Sequence, residues 1–144
     1  MGLDVHVPIT GTIKITLPKG FSSTMLKIKI DGYEYSGSSI GNSWSVCAGG
    51  YNYYNGAWHN CFAQIYGNAK FDKVRLGFDT STSKCVILIG ETTTVWNDPQ
   101  INISEVLCGH YNYNGWDNDW NIDFITDEST INTIYTPTIS YLTN

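Results

Sequence analysis

Runs of strict apolar/polar alternation, broken at short intervals by turn residues, constrain this chain more than any other feature. Ile13, Ile15 and Leu17 alternate with Thr12, Lys14 and Thr16, and Leu26, Ile28 and Ile30 with Lys27 and Lys29. Val74, Leu76 and Phe78 alternate with Lys73 and Arg75, and Ile101 and Ile103 with Asn102 and Ser104. Trp120, Ile122 and Phe124 alternate with Asn121 and Asp123. A period of two sends successive side chains to opposite faces, so each run predicts a half-buried strand. Residues 85–89, Cys-Val-Ile-Leu-Ile, are apolar throughout and predict a central strand covered on both faces. No segment carries an apolar stripe at helical spacing. Turn signals such as Asp31-Gly32, Asn55-Gly56, Gly67-Asn68 and Asn114-Gly115 punctuate the strands. Short strands at this spacing predict an all-β chain, an antiparallel β-sandwich of about eight strands. The 144 residues hold one domain with one core. Residues 1–126 are expected to form the sandwich. Residues 127–144, rich in Thr and Ile, are expected as an extended C-terminal arm or edge strand of the same domain.

Charge narrows the partners. Only 15% of residues are charged, the net charge is −5, and no Lys/Arg cluster is present. A nucleic-acid partner lacks its electrostatic footprint, and an anionic membrane is disfavoured for the same reason. No run is long and apolar enough to insert into a bilayer. The start lacks the positive and apolar regions of a secretory signal. Cys47, Cys61, Cys85 and Cys108 show no Cys-x-x-Cys spacing. They read as reduced thiols acting as small hydrophobes rather than as a zinc site.

Aromatic residues reach 14%, with ten Tyr and five Trp, more than a small core needs. They concentrate in two similar segments, Gly50-Tyr-Asn-Tyr-Tyr-Asn-Gly-Ala-Trp58 and Gly109-His-Tyr-Asn-Tyr-Asn-Gly-Trp116. Each runs through Tyr-Asn-Tyr into an Asn-Gly turn and on to Trp. A two-residue turn at Asn55-Gly56 would set Tyr53 opposite Trp58, with Tyr51 on the same face. Tyr and Asn make low-entropy contacts in binding loops. The candidate binding residues are therefore Tyr51, Tyr53, Tyr54, Trp58, His110, Tyr111, Tyr113 and Trp116, and cross-strand ring packing is the competing reading. Within this set Tyr53, Trp58, Tyr113 and Trp116 are expected to line or border the binding surface.

Other constellations carry less. Asp117, Asp119, Asn121 and Asp123 space oxygen ligands like the start of a calcium loop, but the Gly and Glu that complete one are missing. On a strand they would share the solvent face. His6, His59 and His110 form no metal-binding pair and read as surface residues. Carboxylates such as Glu91, Glu105 and Asp123 exist, yet there is no Gly-x-Ser-x-Gly elbow and no phosphate loop. The expectation is a protein that is not an enzyme and uses neither cofactor nor metal.

Several spaced motifs carry a family resemblance. The segment Thr10-Gly-Thr-Ile-Lys-Ile-Thr-Leu-Pro18, followed by Thr24-Met-Leu-Lys-Ile-Lys-Ile-Asp-Gly-Tyr-Glu-Tyr35, resembles the start of a C-terminal domain of bacteriophage tail fibres. Gly50-Tyr…Trp58-x-Asn60, Val74-Arg-Leu-Gly-Phe-Asp79, Ile89-Gly-Glu…Trp96…Pro99 and Trp116…Trp120-x-Ile-x-Phe124 extend the likeness across roughly Thr10 to Thr126. The resemblance implies a homotrimeric receptor-binding tip at the distal end of a virion fibre, assembled in the host cytoplasm. Its partner would be a bacterial cell-surface receptor, either a glycan or an outer-surface protein. Two other classes suit the same residues: a lectin-like carbohydrate-binding module of a bacterial surface protein or glycoside hydrolase, and a purely structural trimerisation head.

Overall fold

The computed structural model describes residues 2–4, 8–35, 42–110 and 114–142. Among these the chain forms thirteen strands: β1 (Gly2–Asp4), β2 (Ile9–Thr10), β3 (Thr12–Thr16), β4 (Thr24–Glu34), β5 (Asn42–Tyr53), β6 (Ala57–Gly67), β7 (Val74–Asp79), β8 (Lys84–Ile89), β9 (Val95–Trp96), β10 (Gln100–His110), β11 (Asn121–Ile125), β12 (Ile131–Tyr135) and β13 (Ile139–Leu142). The fold is all-β, as the alternation requires. A six-stranded sheet has the order β1-β10-β4-β5-β6-β13, a five-stranded sheet the order β11-β3-β8-β7-β12, and β2 pairs with β9. Every pairing is antiparallel except that of β13 with β6, which is parallel.

The long strand β4 follows its pattern closely. Leu26, Ile28 and Ile30 are buried, while Met25, Lys27 and Lys29 face solvent. Inward residues of both larger sheets meet in one apolar cluster, with Ile28, Val46 and Ile65 from the first and Ile15, Leu76 and Ile87 from the second. Trp44, Phe71 and Trp96 pack together inside it, with ring centroids 4.8 to 6.0 Å apart. Gly32 is needed there, because a Cβ would fall within the Trp44 ring across the strand pair. Trp96 keeps its indole satisfied by donating to the Gly11 carbonyl at 2.7 Å.

Two strands depart from the alternation argument. β8 is central to its sheet and buried on both faces, matching its unbroken apolar run. β3 is also covered on both faces: Thr12 and Thr16, expected on a solvent side, are buried. The cause lies far along the chain. β11 and β12 form opposite edges of the five-stranded sheet, so the residues joining them cross its second face. Val86 and Leu88 pack there against Ile125 and Ile131. Arg75 donates to both oxygens of Glu128 at 2.7 and 2.9 Å, and Thr12 donates to Glu128 at 2.5 Å. Beneath the same crossing, Lys14 donates to the fully buried Asp79 at 3.0 Å.

The last residues then form an edge on each sheet, β12 beside β7 and β13 beside β6.

Candidate functional site

The β5–β6 hairpin brings aromatic side chains together at one end of the six-stranded sheet. Its loop is Tyr54-Asn55-Gly56, closed by the Gly56 amide donating to the Tyr53 carbonyl at 3.1 Å. Gly56 has a φ of 89°, the left-handed conformation that a glycine adopts without a Cβ penalty. The loop thus has three residues with glycine last, not the two-residue turn expected at Asn55-Gly56. Tyr53 pairs with Ala57, Asn52 with Trp58, and Tyr51 with His59. One residue of register moves a side chain to the other face. Trp58 therefore points into the core instead of standing opposite Tyr53.

This corrects the placement of two expected binding residues. Trp58 is only 2% exposed, donates its indole N–H to the Gly77 carbonyl at 3.1 Å, and lies edge-on to Phe21. Trp116 is 3% exposed, packs on Trp120 and carries the Lys19 ammonium 6.0 Å from its ring. Both rings are packed in the interior, so neither joins the outward-facing ring group of the hairpin. Tyr111 and Tyr113 lie outside the described residues, as does His6.

Four of the expected residues form one surface group. Tyr51 and Tyr53 are half-buried, with centroids 5.5 Å apart. Tyr54 is 71% exposed and meets Tyr53 edge-on at 4.6 Å. His110, at the end of β10, meets Tyr51 edge-on at 5.5 Å. The structure adds two residues. His59 packs against Tyr53 at 5.8 Å, and Met25, 58% exposed, is paired with Tyr51 across the β4–β5 ladder. The sequence signalled His59 only through its distance from the turn, and the wrong turn length hid that it shares a face with Tyr51 and Tyr53.

The ring group stands on a fixed base. Asn52, fully buried beneath it, accepts from the Thr24 amide at 2.7 Å and donates to the Gly20 carbonyl at 3.1 Å. The Ser23 amide donates to the Asn52 carbonyl at 2.8 Å, and the Tyr54 amide donates to the Ser23 hydroxyl at 3.1 Å. These bonds tie the hairpin tip to the segment that enters β4. A hydrogen bond with Tyr54, reinforced by the charge that Tyr54 would carry, pushes the Tyr53 hydroxyl above its ordinary pKa. The Tyr53 hydroxyl is therefore uncharged at neutral pH. The group offers apolar ring faces and edges together with hydroxyl and imidazole hydrogen-bonding atoms, the chemistry of a recognition surface.

Carboxylates lie elsewhere. Asp117, Asp119, Asn121 and Asp123 are all exposed, and the described residues contain no group of three or more His, Cys, Asp or Glu placed to hold a metal ion. No family model matches the chain, and no curated protein or solved structure matches it.

Proposed function

We propose that this chain is a non-enzymatic receptor-binding tip domain of a bacteriophage tail fibre, and that it adheres to the bacterial surface through the Tyr51, Tyr53, Tyr54, His59 and His110 group. The observation that carries this reading is that solvent-facing ring cluster, held on a hydrogen-bonded hairpin at the end of a sheet. Rings left at a surface favour contact with a partner over solvation. The spaced motifs that resemble fibre C-terminal domains supply the biological setting. In this reading the two larger sheets stack as a sandwich about their shared apolar cluster. Three copies then assemble around a threefold axis, through contacts that close. Exposed apolar side chains on the outer side of the six-stranded sheet, among them Tyr33 and Leu107, suit such an assembly. A trimer presents each ring group three times, so weak single contacts gain strength by avidity.

The test pairs light scattering with adsorption. The fluorescently labelled protein is expected to run as a trimer and to decorate cells of some strains in a bacterial panel. Tyr53→Ala combined with His59→Ala is expected to lower that decoration about tenfold, with trimer and melting temperature retained. A monomer that decorates no strain would refute the fibre-tip reading. Unchanged decoration by the double variant would remove the ring group from the contact.

A further inference from the structure

The edge of β10 opens onto a cleft that the ring group does not use. Among the described residues, β1 covers this edge at Gln100, Ile101 and Asn102 alone. Further along, among the described residues, β10 pairs on its other side alone, with β4. Between the bare edge and residues 114–120 lies a cleft of about 620 Å³, a volume typical of small-ligand sites. Its apolar wall is made by Ile103, Val106, Trp116 and Trp120, all of which pack on the main core. Its rim carries Glu105, Asn114, Asp117 and Asn118.

We propose that this cleft is a binding site for a neutral saccharide. Three observations point to that class. The exposed lining is about equally apolar and polar, the mixture that a pyranose itself presents through its C–H groups and hydroxyls. Among the described residues nothing hydrogen-bonds the side chains of Asn114, Asp117 or Asn118, so amide and carboxylate atoms stand ready at the rim for hydroxyl groups. The lining contains two carboxylates, Glu105 and Asp117, and the Lys19 ammonium beside Trp116 offsets only one of them, so an acidic sugar would still meet net negative charge. An added peptide strand fits less well. The pairing of β10 with β4 shifts register between Ile103 and Glu105, and such a bulge interrupts the even ladder that a strand in line with β1 would need. The cleft shares no residue with the ring group, so the two sites stand or fall separately.

Saturation-transfer NMR with methyl glucoside, methyl galactoside, methyl mannoside and N-acetylglucosamine, set against glucuronate and N-acetylneuraminate, tests the assignment. At least one neutral sugar is expected to bind and to shift the Asn118 side-chain amide and the Trp120 indole resonances. Both acidic sugars should bind tenfold or more weakly. Asn114→Ala with Asn118→Ala should lower affinity at least tenfold with folding unchanged, while Tyr53→Ala leaves it intact. Failure of every neutral sugar to bind, equal binding of the acidic sugars, or loss on Tyr53→Ala in place of the rim variant would each overturn the proposal.

Discussion

Replacing Trp58 by Ala separates the two faces of the β5–β6 hairpin with one measurement. The ring is 2% exposed, packs edge-on to Phe21, and bonds the Gly77 carbonyl at 3.1 Å. Truncating a buried Trp destabilises by about 3–5 kcal/mol, from lost transfer energy and the cavity left behind. Part of that cost comes from the Gly77 carbonyl, which loses its donor in a place where water enters poorly. For a chain of 144 residues, an unfolding entropy of about 2 cal/mol/K per residue converts this loss into a fall in melting temperature of roughly 10–17 °C. Calorimetry of Trp58→Ala beside Tyr53→Ala makes the comparison internal, because the two side chains are five positions apart in sequence but on opposite faces. Tyr53→Ala is expected to melt within a few degrees of the parent. If Trp58→Ala melts as close to the parent as Tyr53→Ala does, then the register described here is wrong and Trp58 is a surface residue.

Two further outcomes follow from buried groups. Burial works against the Asp79 charge, but hydrogen bonds from Ser81 and Lys14 outweigh it and bring its pKa from 3.8 to about 2. Because the folded value lies below the unfolded one, the stabilisation is complete above about pH 4 and is lost as pH falls through 2. It amounts to on the order of 2 kcal/mol, and Asp79→Asn should flatten that part of a denaturation-versus-pH curve; an unchanged curve would dismiss the pair. All four cysteines are free, and burial pushes Cys61 up to about 11 and Cys85 up to about 12. A thiol titration at pH 8 should therefore find Cys85 unreactive in the native protein and four groups after denaturation without reductant, whereas a shortfall would mean that disulfides form.

Local pattern made most strands legible. β4 could be read residue by residue because its outer face meets water, and β8 because an apolar run with no polar break must lie between two layers. What escaped was set by distant chain. Thr12 and Thr16 read as solvent-facing because nothing nearby announces that residues joining β11 to β12 will pass over them. The parallel docking of β13 on β6 was equally invisible, since a Thr/Ile-rich segment specifies extension but no partner. At the candidate site the misreading was local and small. Asn-Gly suits a two-residue turn and also closes a three-residue loop with Gly in the left-handed position, and composition does not choose between them. That single residue exchanged Trp58 for His59 on the outer face. Trp116 was missed for another reason: hydrophobic area alone does not tell a ring on a surface from one under a loop.

The hairpin's alternation has a consequence for how this protein can change. Its inward residues, Asn52 and Trp58, hold the tip through buried hydrogen bonds and packing. Tyr51, Tyr53, Tyr54 and His59 project from the same few residues of chain without entering that network through their side chains. Mutations therefore sort by parity. A lineage drifting at the outward positions explores new contact chemistry on an unaltered frame, while drift at the inward ones is purged as misfolding before any partner is met. A library randomised at the outward positions and fixed at Asn52 and Trp58 should therefore return mostly folded proteins with varied outer surfaces, and under the receptor-binding role proposed above this hairpin is the place to retarget the domain.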